Sequence, residues 1–195
     1  MTDREFESWI NSESGGKNLA WNNYFTPIGE EREYRGHWSK DRKTWGGIGE
    51  IKFKDGSSYL GQIENKTFNG KGRMVFANGN IFQGQWKDGK AEGKGVLLEA
   101  ESKSTYEGDW KDDLQHGKGV ETWENGKIVY DGDYVKGKKT GKGKFEHDGS
   151  YYEGDFVDGE FHGEGKYYFA DSGKIYEGEF KRNTMNGKGV LVWPD

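Results

Sequence analysis

The sequence predicts an all-β fold: an elongated single-sheet solenoid of seven consecutive antiparallel β-hairpin repeats, with a short N-terminal helical and extended capping segment. Three observations carry that expectation. Glycine makes up 33 of 195 residues, about 17% against a usual ~7%. Aromatic residues number 30, half of the hydrophobic total, so something buries rings with few aliphatics. An aromatic-x-Gly-x-bulky unit also returns with a near-constant period, the signature of a repeat architecture.

The first 33 residues lie outside that period. Thr2 and Glu5 have capping-box spacing, and Phe6, Trp9 and Ile10 follow at i, i+3, i+4, so the spacing predicts a short amphipathic helix over about 3–11. Trp21, Tyr24, Phe25 and Pro27 then read as extended chain. A solenoid's terminal repeat exposes an open sheet edge, and this segment is read as its cover. Docking of the helix on a partner or a second copy is the alternative.

The repeats occupy 34–195 and start at Tyr34, Tyr59, Phe82, Tyr106, Tyr130, Tyr152 and Tyr176. In each unit, as in Tyr106-Glu-Gly108-Asp-Trp110, the ring, glycine and second bulky residue share one face of a strand. A loop of six residues leads to a second strand opened by Gly-x-Gly, from Gly47/Gly49 to Gly187/Gly189. Asp55-Gly56, Asn78-Gly79, Asn125-Gly126 and Asp148-Gly149 then turn the chain into the next repeat as type I′ hairpins. A glycine within a strand leaves a slot across which a neighbouring ring lies flat. That accounts for a core of rings over glycines without a second layer.

Tyr-x-Gly-x-Trp/Phe, followed by His/Asn-Gly-x-Gly, resembles the MORN (membrane occupation and recognition nexus) repeat. Gly154-Asp-Phe-Val-Asp-Gly-Glu-Phe-His-Gly-Glu-Gly165 is a close match. Departures are Ile63 for the second aromatic, Phe82 for the leading tyrosine, an insertion near Trp45, and Glu101-Ser-Lys-Ser104 in place of a turn glycine. The resemblance implies a protein-interaction or assembly module, with members in cilia, flagella and other cytoskeletal assemblies. A cytoplasmic protein associated with the cytoskeleton or a cilium is therefore expected, with cytoskeletal or axonemal partners.

Several classes of function have little support. The absence of cysteine removes disulfides, thiol catalysis and Cys-based metal sites. No apolar run approaches the ~18 residues of a membrane span, the N-terminus resembles no secretory signal, and a net charge of −5 gives no nucleic-acid signal. His116 and His162 line turns before Gly-x-Gly and lack metal-ligand spacing. Gly132-Asp-Tyr-Val-Lys-Gly-Lys-Lys139 nearly matches a phosphate-binding loop, but Lys139 stands where a hydroxyl residue is required. No enzyme, metal or cofactor is expected.

Candidate interaction residues fall into three sets. Rings left uncovered, from Trp86, Trp110, Tyr134, Phe156 and Phe180, would anchor a partner. On the opposite face, Glu107, Asp109, Asp131, Asp133, Glu153, Asp155, Glu177 and Glu179 place eight carboxylates in repeats four to seven, against none in repeats one to three. They form either an acidic strip for a basic partner or ordinary cross-strand neighbours of Lys71, Lys94, Lys118, Lys142 and Lys188. Second, Lys136, Lys138, Lys139, Lys142 and Lys144 form a basic run that would serve the alternative function of a peripheral tether on acidic phospholipid such as phosphoinositide. Third, Val190, Val192 and Trp193 make an apolar last strand suited to a homodimer or self-associating rod.

Overall fold

The computed structural model describes residues 8, 20–38, 43 and 45–194. Apart from Ser8, the helix expected over 3–11 lies outside the described residues. The chain divides into two compact units, Met1–Glu101 and Ser102–Asp195.

The N-terminal unit holds β1 (Ala20–Pro27), β2 (Arg32–Trp38), β3 (Trp45–Phe53), β4 (Ser58–Glu64), β5 (Thr67–Val75), β6 (Ile81–Lys87) and β7 (Lys90–Leu98). The C-terminal unit holds β8 (Thr105–Lys111), β9 (Leu114–Trp123), a 3₁₀ turn (Glu124–Gly126), β10 (Ile128–Val135), β11 (Lys138–His147), β12 (Ser150–Val157), β13 (Glu160–Tyr168), β14 (Ile175–Lys181) and β15 (Thr184–Val192). Within each unit every strand pairs antiparallel with its neighbours in sequence. The extended segment expected to cover the first repeat is β1, which pairs with β2. The cationic ends of Arg35 and Lys52 lie 4.8 and 4.2 Å from the centre of the Phe25 ring.

Glycine faces glycine on adjacent strands, as in Gly61↔Gly72, Gly72↔Gly84, Gly132↔Gly143 and Gly143↔Gly154. The leading ring of each repeat lies across this track. A Cβ on Gly143 would sit 2.8 Å from the Tyr130 ring, so no other residue fits beneath it. The second ring stands edge-on to the first, with Tyr130–Tyr134 at 5.3 Å and 88°. It also meets the leading ring of the preceding repeat edge-on, with Tyr106–Tyr134 at 5.0 Å and Tyr130–Phe156 at 4.9 Å. Such edge-to-face pairs add about 0.5–1.5 kcal/mol each beyond area burial. In each unit the sheet thus encloses a core of its own, with Tyr34 and Tyr59 fully buried in the N-terminal unit and Tyr106, Tyr130, Tyr134 and Tyr152 in the C-terminal one.

Two local expectations need correction. The loop of six residues is a two-residue turn flanked by paired strand. Asp88-Gly89, Lys136-Gly137 and Asp158-Gly159 carry the positive φ at both positions that a type I′ turn needs, and so do Asn65-Lys66, Asp112-Asp113 and Arg182-Asn183. Of the four dipeptides expected as I′ turns between repeats, Asp148-Gly149 has that geometry; at Asp55-Gly56 and Asn78-Gly79 φ is positive at the glycine alone, and at Asn125-Gly126 the positive run begins at Glu124. The strand pairing also slips by two residues in every hairpin. Opposite Gly132 stands Gly143, but opposite Tyr134 stands Lys139, so the second strand carries two extra residues. The first glycine of Gly-x-Gly takes the positive φ of this bulge, +69° at Gly141.

Candidate functional site

The bulge decides what the two residues flanking the strand glycine do. It removes partners from a carbonyl on the first strand, on the part-buried side where an unpaired backbone group costs about 1–3 kcal/mol, and from an N–H on the second, which lies on the exposed side. The leading tyrosine answers the first. Its hydroxyl donates to the carbonyl three residues on: Tyr59 to Gln62 at 2.7 Å, Tyr106 to Asp109 at 2.9 Å, Tyr130 to Asp133 at 3.0 Å and Tyr152 to Asp155 at 2.8 Å. Burial pushes the Tyr152 hydroxyl up to about 12, and those of Tyr34, Tyr59, Tyr106 and Tyr130 higher still.

The residue after the strand glycine answers the second, from the opposite face. The Lys118 N–H donates to Asp109, Lys142 to Asp133 and Glu164 to Asp155, each at 3.1 Å, and Lys188 to Glu179 at 3.2 Å. Four of the eight carboxylates in the strip are therefore bulge acceptors. Two also pair between repeats, Asp133 with Lys118 and Asp155 with Lys142, both at 2.7 Å. These are the cross-strand partners expected of an ordinary sheet face. Glu107, Asp131, Glu153 and Glu177, one residue before the glycine, belong to a second row across the strands. In that row Asp131 faces Lys144, Lys144 faces Glu153, Glu153 faces Lys166, and Lys166 faces Glu177. Lys166 and Glu177 form an ion pair at 2.9 Å, and that bond raises the Lys166 pKa.

Between the two rows runs an open groove of about 1150 Å³. Its floor is the glycine track, Gly132, Gly143, Gly154, Gly165 and Gly178; its walls extend from Lys118 and Asp131 to Glu177 and Val190. The chemistry on offer is recognition: many charged side chains on a rigid backbone, spaced at the ~4.8 Å interval between strands.

The rings expected to anchor a partner are elsewhere. Trp86, Trp110, Tyr134, Phe156 and Phe180 are all buried, the most open being Trp110 at 8%. Each is enclosed by the leading rings of its own or the preceding repeat, as Tyr134 is by Tyr130 and Tyr106. The basic run is likewise dispersed. Lys138 pairs with Asp158 at 2.8 Å, Lys139 with Glu121 at 2.7 Å, Lys142 with Asp155, and Lys144 with Glu146. Lys139 turns to the aromatic face, over the rings of Trp123, Tyr130 and Tyr134, whereas Lys142 and Lys144 line the groove. The last strand is exposed, Val190 by 63% and Val192 by 52%, as is Trp193 just past its end by 62%, with the Lys174 ammonium 3.7 Å from the Trp193 ring centre.

Sequence reasoning missed a polar triad on the aromatic face. Glu121 accepts bonds from Lys139 and, at 2.8 Å, from the Tyr134 hydroxyl. Burial first, then the Glu121 charge, hold that hydroxyl far above the usual tyrosine range. In other repeats the column of Glu121 holds Ile51, Met74, Leu97, Phe145, Tyr167 and Leu191, and that of Lys139 holds Phe68, Ala91, Gln115, Phe161 and Met185. The clue was that both columns change chemistry in adjacent repeats.

A ladder of glycine-floored hairpins with one enclosed aromatic face and one charged face defines a β-hairpin repeat protein. The MORN repeat profile matches residues 59–81, 82–98, 106–128, 130–150, 152–174 and 176–195. These six matches cover more than half of the chain, which belongs to the MORN repeat family. The hairpin β2–β3 precedes them and has the same glycine pairing, Gly36↔Gly49, and the same bulge. Among solved structures the chain is similar to the TCP10c domain of Drosophila melanogaster Sas-4, at 16% identity and a TM-score of 0.42, over 76% of this chain and 87% of that one. That likeness is too loose to bear on function. No curated protein matches the chain significantly. Among the described residues no helix is long and apolar enough to cross a membrane.

Proposed function

We propose that this chain is a non-enzymatic scaffold or adaptor that holds protein partners against the charged face of its hairpin sheet, within a cytoskeletal, ciliary or axonemal assembly. The observation that carries the reading is the open groove along the C-terminal unit, floored by glycine and walled by charge. The aromatic side spends its large rings on internal packing, so the charged face is the surface with groups to spare. Rigid sheet suits this role, because a fixed array of side chains loses little freedom when a partner docks. The assembly named is an expectation from family membership.

The test is crosslinking mass spectrometry on partners recovered with the full tagged chain, alongside light scattering of the purified protein. The reading expects crosslinks from cytoskeletal or axonemal proteins to the groove lysines Lys118, Lys142, Lys144 and Lys166. Crosslinks confined to the aromatic face would overturn it. So would recovery of acidic lipid alone, or of a second copy joined through Val190–Trp193.

A further inference from the structure

We infer that the groove takes a lysine- or arginine-bearing segment of a partner, with one cation seated between Glu164 and Glu179; this deepens the proposed function and rests on it. The argument begins with a break in the ladder. The residue between the paired glycines is lysine in five repeats, at Lys71, Lys94, Lys118, Lys142 and Lys188, and is Ile48 in the first. In the sixth it is Glu164. Lys118 faces Asp133 and Lys142 faces Asp155 across the boundary to the next repeat. By the same register Glu164 faces Glu179.

Like charges directly opposite one another destabilise a sheet. The remedy is a lysine, which the repeat uses five times. A sequence that forgoes it at one point in an open groove departs from its own local rule, and such departures collect at functional sites.

The remaining charges of the groove give the sign of the guest. Its four lysines are each engaged by a carboxylate: Lys118 by Asp133, Lys142 by Asp155, Lys166 by Glu177 and Lys144 by Glu146. Glu164 is exposed on the groove wall. Asp131, Glu153 and Glu164 make no ion pair among the described residues, and Glu179 is bonded through one oxygen to the Lys188 N–H. The lining itself balances these four lysines with Asp131, Glu153, Glu164 and Glu177, and the adjoining Asp133, Glu146, Asp155 and Glu179 make the surface acidic, so charge complementarity calls for a basic guest. Its side chain supplies across the Glu164–Glu179 pair what lysine supplies at the two preceding boundaries.

The test uses the full chain and a fluorescein-labelled lysine–serine repeat peptide, read by anisotropy. Glu164→Lys is expected to weaken binding about tenfold, the order seen when a close interfacial charge pair is reversed, while leaving the thermal midpoint unchanged or higher. Asp171→Lys makes the same change of net charge in an exposed turn and is expected to weaken binding less than about twofold. Equal losses in the two variants, or no binding of the peptide to the unaltered chain, would overturn the inference. A natural partner separates this from failure of the scaffold reading. Crosslinks in the groove with full affinity for the Glu164→Lys chain would remove the basic-guest inference alone. Crosslinks elsewhere would remove both.

Discussion

The two units meet one backbone requirement with different side chains. In the N-terminal unit the bulge N–H groups of Lys71 and Lys94 are accepted by the amide oxygens of Gln62 and Gln85, at 2.7 and 3.4 Å. In the C-terminal unit the equivalent groups are accepted by carboxylates at 3.1–3.2 Å. A neutral amide suffices for the fold. The charge on the C-terminal face is therefore additional to what folding demands, which makes that face, and not the rings, the place to look for a partner.

The comparison predicts equal dependence on rings and unequal dependence on charge. Tyr59→Ala in one unit and Tyr130→Ala in the other should each cost about 3–5 kcal/mol, as for other large buried rings, measured by urea unfolding. A much smaller cost in one unit would break the parity. The same tyrosines set the alkaline limit. Their folded pKa values are raised, to about 12 for Tyr152, above the unfolded value near 10. Their contribution is thus complete below pH ~10 and is lost as pH rises through the folded values. Tyrosinate absorbance should lag behind a free-tyrosine titration and appear with loss of the β-sheet circular dichroism signal.

Smaller effects sharpen the contrast. Lys139→Met should cost about 2 kcal/mol by stranding Glu121, less than the ~3–5 of a fully buried pair. Adding Glu121→Met together with Tyr134→Phe should recover most of it, since Met74 and Met185 fill the same columns in other repeats, Phe156 and Phe180 stand where Tyr134 does, and no buried hydroxyl is then left without its acceptor. Failure to recover would show that the pair contributes more than mutual neutralisation. Asp133→Ala should cost about 1–2 kcal/mol and Asp133→Asn under ~0.5, because the amide keeps the bond to the Lys142 N–H. If the two cost the same, the charge of the C-terminal unit is structural after all.

Much of the fold was legible because glycine, ring and turn residues recur in phase. The bulge was not. A slip of two residues keeps every side chain on its original face, so alternation is blind to it. The positive φ of the first glycine in each Gly-x-Gly pair was its trace, as was the choice of Tyr over Phe at the leading position, where a hydroxyl has a carbonyl to meet. Rings such as Trp110 and Phe156 were read as exposed because each hairpin was considered alone. In the sheet, Phe156 is covered by Tyr130 of the preceding repeat as well as by Tyr152. The lysine run from 136 to 144 was read as one patch from proximity in sequence, although neighbours on a strand point to opposite faces. The row of carboxylates was legible in full; that half of it accepts backbone bonds was not.

Near-identical hairpins create a hazard of mispairing. Any second strand offers much the same glycines and rings to any first strand, so displacement by a whole repeat, or exchange between two chains, sacrifices little aromatic packing. Glu121, Tyr134 and Lys139 remove that degeneracy between β9, β10 and β11. A displaced pairing would set Glu121 or Lys139 against an apolar column with nothing to neutralise it, and a half-buried stranded charge is costly. Three residues thus act as an address within a repetitive sequence. Refolding of the Glu121→Met/Lys139→Met chain at high concentration should yield more misfolded or exchanged species by size-exclusion chromatography than refolding of the unaltered chain.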